Sequence, residues 1–129
     1  MKRVLGALPP WCLTVLTLTA ILWLTLAPHP LGETTVPLFE GADKIVHAIM
    51  FGFLTAMIVI DHARRDGWEP PSILYIMSAA LLSTCVGAII EVLQLQMALG
   101  RGFEWGDIIA DGAGALVSAL GMIIILRKS

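Results

Sequence analysis

Two pairs of ionisable residues four apart, Asp43 with His47 and Asp107 with Asp111, and one pair three apart, Glu91 with Gln94, carry the side chains from which this chain could build chemistry. Residues at these spacings share a helix face, so each pair can address one neighbour. Imidazole and carboxylate are ligands for a divalent ion, which can polarise a phosphoryl oxygen or acidify a bound water. The candidate metal ligands are His47, Glu91, Asp107 and Asp111. Without a metal, His47 is a candidate general base. Lys44 and Arg101 lie among these acids and suit a phosphate or carboxylate, while Glu91, Gln94, His47 and Asp111 suit sugar or amide groups. The candidate ligand-binding cluster is therefore Asp43, Lys44, His47, Glu91, Gln94, Arg101, Asp107 and Asp111. No residue is assigned a catalytic role, because a His-Glu-x-x-His helix, a glycine-rich phosphate loop and a Ser-His-Asp order are all absent.

Plainer roles compete for the same residues. Asp43 and Asp107 sit where helix N-caps belong, and a carboxylate there is stabilising by about 0.3–1 kcal/mol. Lys44 can reach toward headgroups, and Arg101 can neutralise Glu104 or Asp107. His47 can serve as a helix–helix hydrogen bond. Glu91 is harder to account for, since it lies near the C-terminal end of its helix, where the macrodipole disfavours an anion. It needs a partner, a proton or a metal.

The elements that must position these residues are hydrophobic ones. Of 129 residues, 57% are hydrophobic and only 14% charged, with a mean hydropathy of +0.86, which excludes disorder, a disulfide-rich secreted domain and a basic nucleic-acid binder. Four apolar segments of nearly spanning length, 8–27, 42–60, 72–95 and 107–126, predict one all-α domain over 1–129, a compact bundle of four transmembrane helices. Pro28, Pro30, Gly32 and Pro37, then Gly67, Pro70 and Pro71, then Gly100, Gly102 and Gly106 break the chain between them. The first segment is read as a retained helix and not a signal peptide, because its apolar run exceeds an h-region and Pro28 follows Ala27. Cys12 and Cys85 fall inside apolar runs and read as small hydrophobes. Two stripes of small residues, Ser83-Gly87 leading to Glu91 and Ala110-Gly114-Ser118, suit close helix contact.

Six of the eight basic residues, Lys2, Arg3, Arg64, Arg65, Arg127 and Lys128, fall at one end of this topology, leaving Lys44 and Arg101 at the other. The positive-inside rule then puts both termini in the cytoplasm, Trp11 and Trp68 near the inner interface, and Trp23 and Trp105 near the outer one. The acids Glu91, Asp107 and Asp111 collect on the outer half, where charges at the rim of a span call for a functional explanation.

Asp43-Lys44-x-x-His47 opening one helix, Glu91-x-x-Gln94 near the end of the next, and Arg101 before Asp107 and a glycine-rich fourth helix together resemble the VanZ-like family of small bacterial membrane proteins. The resemblance runs from Asp43 to Gly121, and departs at Asp111, where the family pattern usually has Asn. It implies an integral protein of the bacterial cytoplasmic membrane connected with the envelope, the family's namesake being linked to low-level resistance to the glycopeptide teicoplanin. Three functions remain open at this point. The first is an accessory protein whose outward-facing polar site takes a lipid-linked or cell-wall headgroup, with membrane lipids and a lipid-linked cell-wall precursor as partners. The second is a metal-assisted hydrolase or transferase of a lipid-linked substrate, with a divalent metal as cofactor. The third is a small transporter, for which an oligomer would have to supply further helices. None involves nucleic acid.

Overall fold

A computed structural model describes residues 7–26, 42–96 and 105–128, without the side chains of 42, 43, 94, 95 and 128. Four helices follow one another: α1 (Cys12–Leu26), α2 (Ala42–Arg65), α3 (Ile73–Gln96) and α4 (Trp105–Lys128). They run alternately up and down, and no strand occurs among the described residues. α2, α3 and α4 have 24 residues each, about 36 Å of helix against roughly 30 Å of hydrocarbon. All three are long and apolar enough to cross a membrane. Leu74 and Ile109, 78% and 70% exposed, and neighbours such as Leu81 and Val117 cover the outside with apolar surface, as a lipid solvent requires. The chain is a multi-pass membrane protein.

α1 is shorter than the sequence suggests. Trp11 adopts a positive φ of 61° after Pro9 and Pro10, so the helix starts at Cys12 and is 15 residues long. Its first turn is capped from another helix. The Asp61 carboxylate of α2 accepts hydrogen bonds from the Thr14 backbone N–H (2.7 Å) and hydroxyl (2.6 Å). Thr17, Thr19 and Thr25 return their hydroxyls to carbonyls four residues back, which leaves no hydroxyl of theirs facing lipid unpaired.

α2 extends past the expected end at Ile60 to Arg65. Asp61, fully buried, is neutralised in place by Arg64 Nε at 2.7 Å, and the Arg64 guanidinium also donates to the carbonyls of Leu8 and Pro9. Gly67 and Trp68 then take positive φ, and the Trp68 N–H donates to Ala63 O at 2.7 Å to close the helix end. Ser72, after Pro70 and Pro71, caps α3 by accepting from the Tyr75 N–H.

α4 packs chiefly on α2 and then on α3, with α1 at the periphery against α2. The core between them holds Phe51, Leu54, Val59, Ile76 and Ile90 alongside Ala115 and Ala119. The α2–α4 approach is backbone to backbone. A Cβ added at Gly114 would lie 2.6 Å from the Ala48 carbonyl carbon, and one at Gly52 would lie 3.0 Å from Gly114 O. The predicted Ala110-Gly114-Ser118 stripe is thus the face that meets α2.

Candidate functional site

The start of α2, the end of α3 and the start of α4 meet at one end of the bundle, and each delivers ionisable groups there. His47, Glu91, Asp107 and Asp111 are all buried, Glu91 and Asp111 completely. The two residues on α4 converge on one imidazole. His47 Nδ1 lies 3.0 Å from Asp111 Oδ1, and because the acceptor is a carboxylate, the hydrogen belongs on Nδ1. Nε2 then faces the other way, 3.9 Å from Asp107 Oδ2. Lys44 Nζ approaches Asp107 Oδ1 at 3.4 Å from the rim, its side chain 42% exposed.

Glu91 enters from α3. One ligand atom each from His47, Glu91 and Asp107 lie within 4.8 Å of one another. The Ser83-Gly87 stripe below Glu91 is buried as expected, and its glycine has a specific function. A Cβ at position 87 would collide with Asp111 Oδ2 and lie 2.9 Å from its Cγ. Asp111 Oδ2 is itself buried without a hydrogen-bond donor. Phe51, one turn below His47, has its ring stacked against the imidazole with centroids 6.3 Å apart, and walls the site from the apolar core.

The structure therefore joins Lys44, His47, Glu91, Asp107 and Asp111. The side chains of Asp43 and Gln94, and the whole of Arg101, lie outside the described residues. Asp107 is the third residue of α4 and not its N-cap, and its carboxylate is directed at Lys44 and His47. Chemically the arrangement is an imidazole oriented by one carboxylate and presenting its second nitrogen to a second, with Glu91 beside them. It can accept a proton, bind a cation, or hydrogen-bond a polar group inserted from the rim.

An apolar groove of about 540 Å³ runs along the outside of the α2–α4 seam. Ala48, Gly52 and Ala56 line one wall and Ala113, Gly114 and Val117 the other. It begins at the helical turn of His47 and Asp111 and extends toward the middle of the span.

Sequence reasoning missed a second polar centre at the opposite end, the buried Asp61–Arg64–Thr14 network. An Asp-x-x-Arg spacing at the end of an apolar run was the available signal. A smaller polar contact, Thr55 Oγ1 to Ser83 Oγ at 2.9 Å, joins α2 to α3 between the two centres.

Neither the curated proteins nor the solved structures contain a match to this chain. The family model described as VanZ/LLP1 matches residues 13–127, which takes in the whole cluster and all but the first residue of α1 and the last of α4, and the chain belongs to that family.

Proposed function

We propose that this VanZ-family protein is an accessory protein of the bacterial envelope that binds a membrane amphiphile, its polar head at the buried cluster and its apolar chain along the α2–α4 groove. The observation that carries the reading is the shared depth of the two: an almost wholly apolar groove starts at the turn that holds His47 and Asp111. A water-soluble ligand has no use for such a groove, whereas a lipid-linked one matches it along its length. Lys44 at the rim supplies a charge for a phosphate or carboxylate, the groups that lipid-linked cell-wall precursors carry, and the family's link to teicoplanin resistance is in keeping with that class.

Orientation follows from charge. Arg64 and Arg65 close α2 at the end away from the cluster, where Lys2, Arg3, Arg127 and Lys128 also belong by chain order. The positive-inside rule assigns that end to the cytoplasm, and the cluster then opens toward the outer face of the cytoplasmic membrane.

Native mass spectrometry of protein released from mild detergent tests the ligand class. Wild type is expected to retain a lipid adduct that is lost both in Ala113→Phe, which fills the groove from its exposed wall, and in Lys44→Ala/Arg101→Ala. Equal lipid retention in all three would overturn the reading. A second reading, an enzyme acting on the head of a lipid-linked substrate, is favoured by the His47 orientation, since an imidazole held at Nδ1 by Asp111 presents Nε2 as a base or ligand.

A further inference from the structure

We propose that His47 Nε2, Glu91 and Asp107 form a binding site for one divalent first-row transition ion, with Asp111 as the residue that positions the imidazole. The inference rests on the cluster being a ligand site, as above, and not on the ligand being a lipid.

Geometry is the first support. His47 Nε2 and Asp107 Oδ2 face each other at 3.9 Å, too far for a hydrogen bond. Neighbouring ligand atoms that each stand about 2.0–2.2 Å from an ion are separated by about 3–3.6 Å, so the 3.9 Å gap and the 4.8 Å spread of the full set close onto an ion with side-chain shifts of about 1 Å.

The arrangement behind the imidazole is the second. A ligating histidine almost always donates its other N–H to a carboxylate or carbonyl, which fixes the tautomer and raises the basicity of the ligating nitrogen. Asp111 occupies that position, at 3.0 Å from Nδ1. It is fully buried with one oxygen lacking a donor, and glycine at 87 leaves the space the carboxylate occupies.

Charge is the third. Among the described side chains, Glu91, Asp107 and Asp111 set three negative charges against Lys44, all near one membrane end. With His47 neutral, the described carboxylates outnumber the one described cation, a setting that favours a bound cation. Buried ions need such compensation, since a low-dielectric site penalises uncompensated charge heavily. Glu91 stands in the last two turns of α3, where helix carbonyls add negative potential that a cation would offset.

Ligand chemistry selects the ion. One imidazole with two carboxylates suits Zn²⁺, Mn²⁺ or a related ion, whereas Ca²⁺ and Mg²⁺ sites are built from oxygen alone. Three protein ligands leave further coordination positions for water or for an oxygen of a bound headgroup.

The test uses the full-length protein, stripped of lipid and metal in detergent and titrated with Zn²⁺ and Mn²⁺ against a chromophoric chelator. Wild type is expected to bind one equivalent, and Glu91→Gln or His47→Ala to weaken binding by at least ~100-fold with helicity retained. Asp111→Asn is expected to keep the stoichiometry and lose about 10–100-fold in affinity, the usual effect of removing an orienting partner. Pulsed EPR of Mn²⁺ bound to wild type is expected to show nitrogen coupling from one imidazole, a readout that does not depend on any variant folding. Absence of stoichiometric binding, absence of that coupling, or binding that disappears in Cys12→Ser/Cys85→Ser while surviving in His47→Ala would overturn the proposal. Metal bound to lipid-free protein that then retains no lipid would overturn the amphiphile reading and leave this one standing.

Discussion

Asp111 keeps its place because residue 87 has no side chain. A Cβ there would collide with a carboxylate that is wedged between two helices and already committed to His47, so it has nowhere to retreat without releasing the imidazole. Gly87→Ala is therefore expected to destabilise the bundle by about 1–3 kcal/mol, the usual cost of overpacking a tight interior. It should also lower the affinity of the cluster for Zn²⁺ to that of Asp111→Asn, which chelator competition in detergent would measure. At this scale the sequence was legible where spacing along one helix decided the matter: Asp107 and Asp111, four apart, do address the same His47. It was illegible where partners come from afar. Asp61 reads as a charge just outside an apolar run, and the groups that allow it to be buried include Thr14, 47 residues away.

Between elements, glycines on one helix have opposite meanings. At Gly114 an added methyl would meet the Ala48 main chain, with carbonyl carbon and Cα at 2.6 and 2.7 Å, atoms that can yield only if α2 and α4 separate. At Gly121 nothing lies within 4 Å. Gly114→Ala is accordingly expected to destabilise by about 1–3 kcal/mol or more, and Gly121→Ala to stabilise by about 0.5–1 kcal/mol through helix propensity alone. Reversible unfolding in mixed micelles would rank the two against wild type. The small-residue stripe of α4 was visible in the sequence, as was the existence of every helix. The rotation of α1 and α3 about their axes was not, because helices that are apolar all round carry little periodic contrast between inside and outside. The early start expected for α1 failed for a local reason, the left-handed Trp11 backbone after two prolines.

For the molecule as a whole, composition settled membrane residence before any contact was known, and the exposed apolar residues on every long helix agree with it. The proposed orientation makes its own prediction. Topology reporters fused after Ser129 or before Met1 are expected to report cytoplasm, and a reporter inserted in the 97–104 segment to report the outside; the reverse pattern would invert the site's access. A final consequence concerns biogenesis. The α1 helix ends its first turn on a carboxylate that emerges from the ribosome 47 residues after Thr14, and that carboxylate is tolerated in the apolar layer only alongside Arg64 and the carbonyls of Leu8 and Pro9. The first turn of α1 is thus completed only once the end of α2 exists, so the contact that fixes how the two helices sit against each other forms after both have been made.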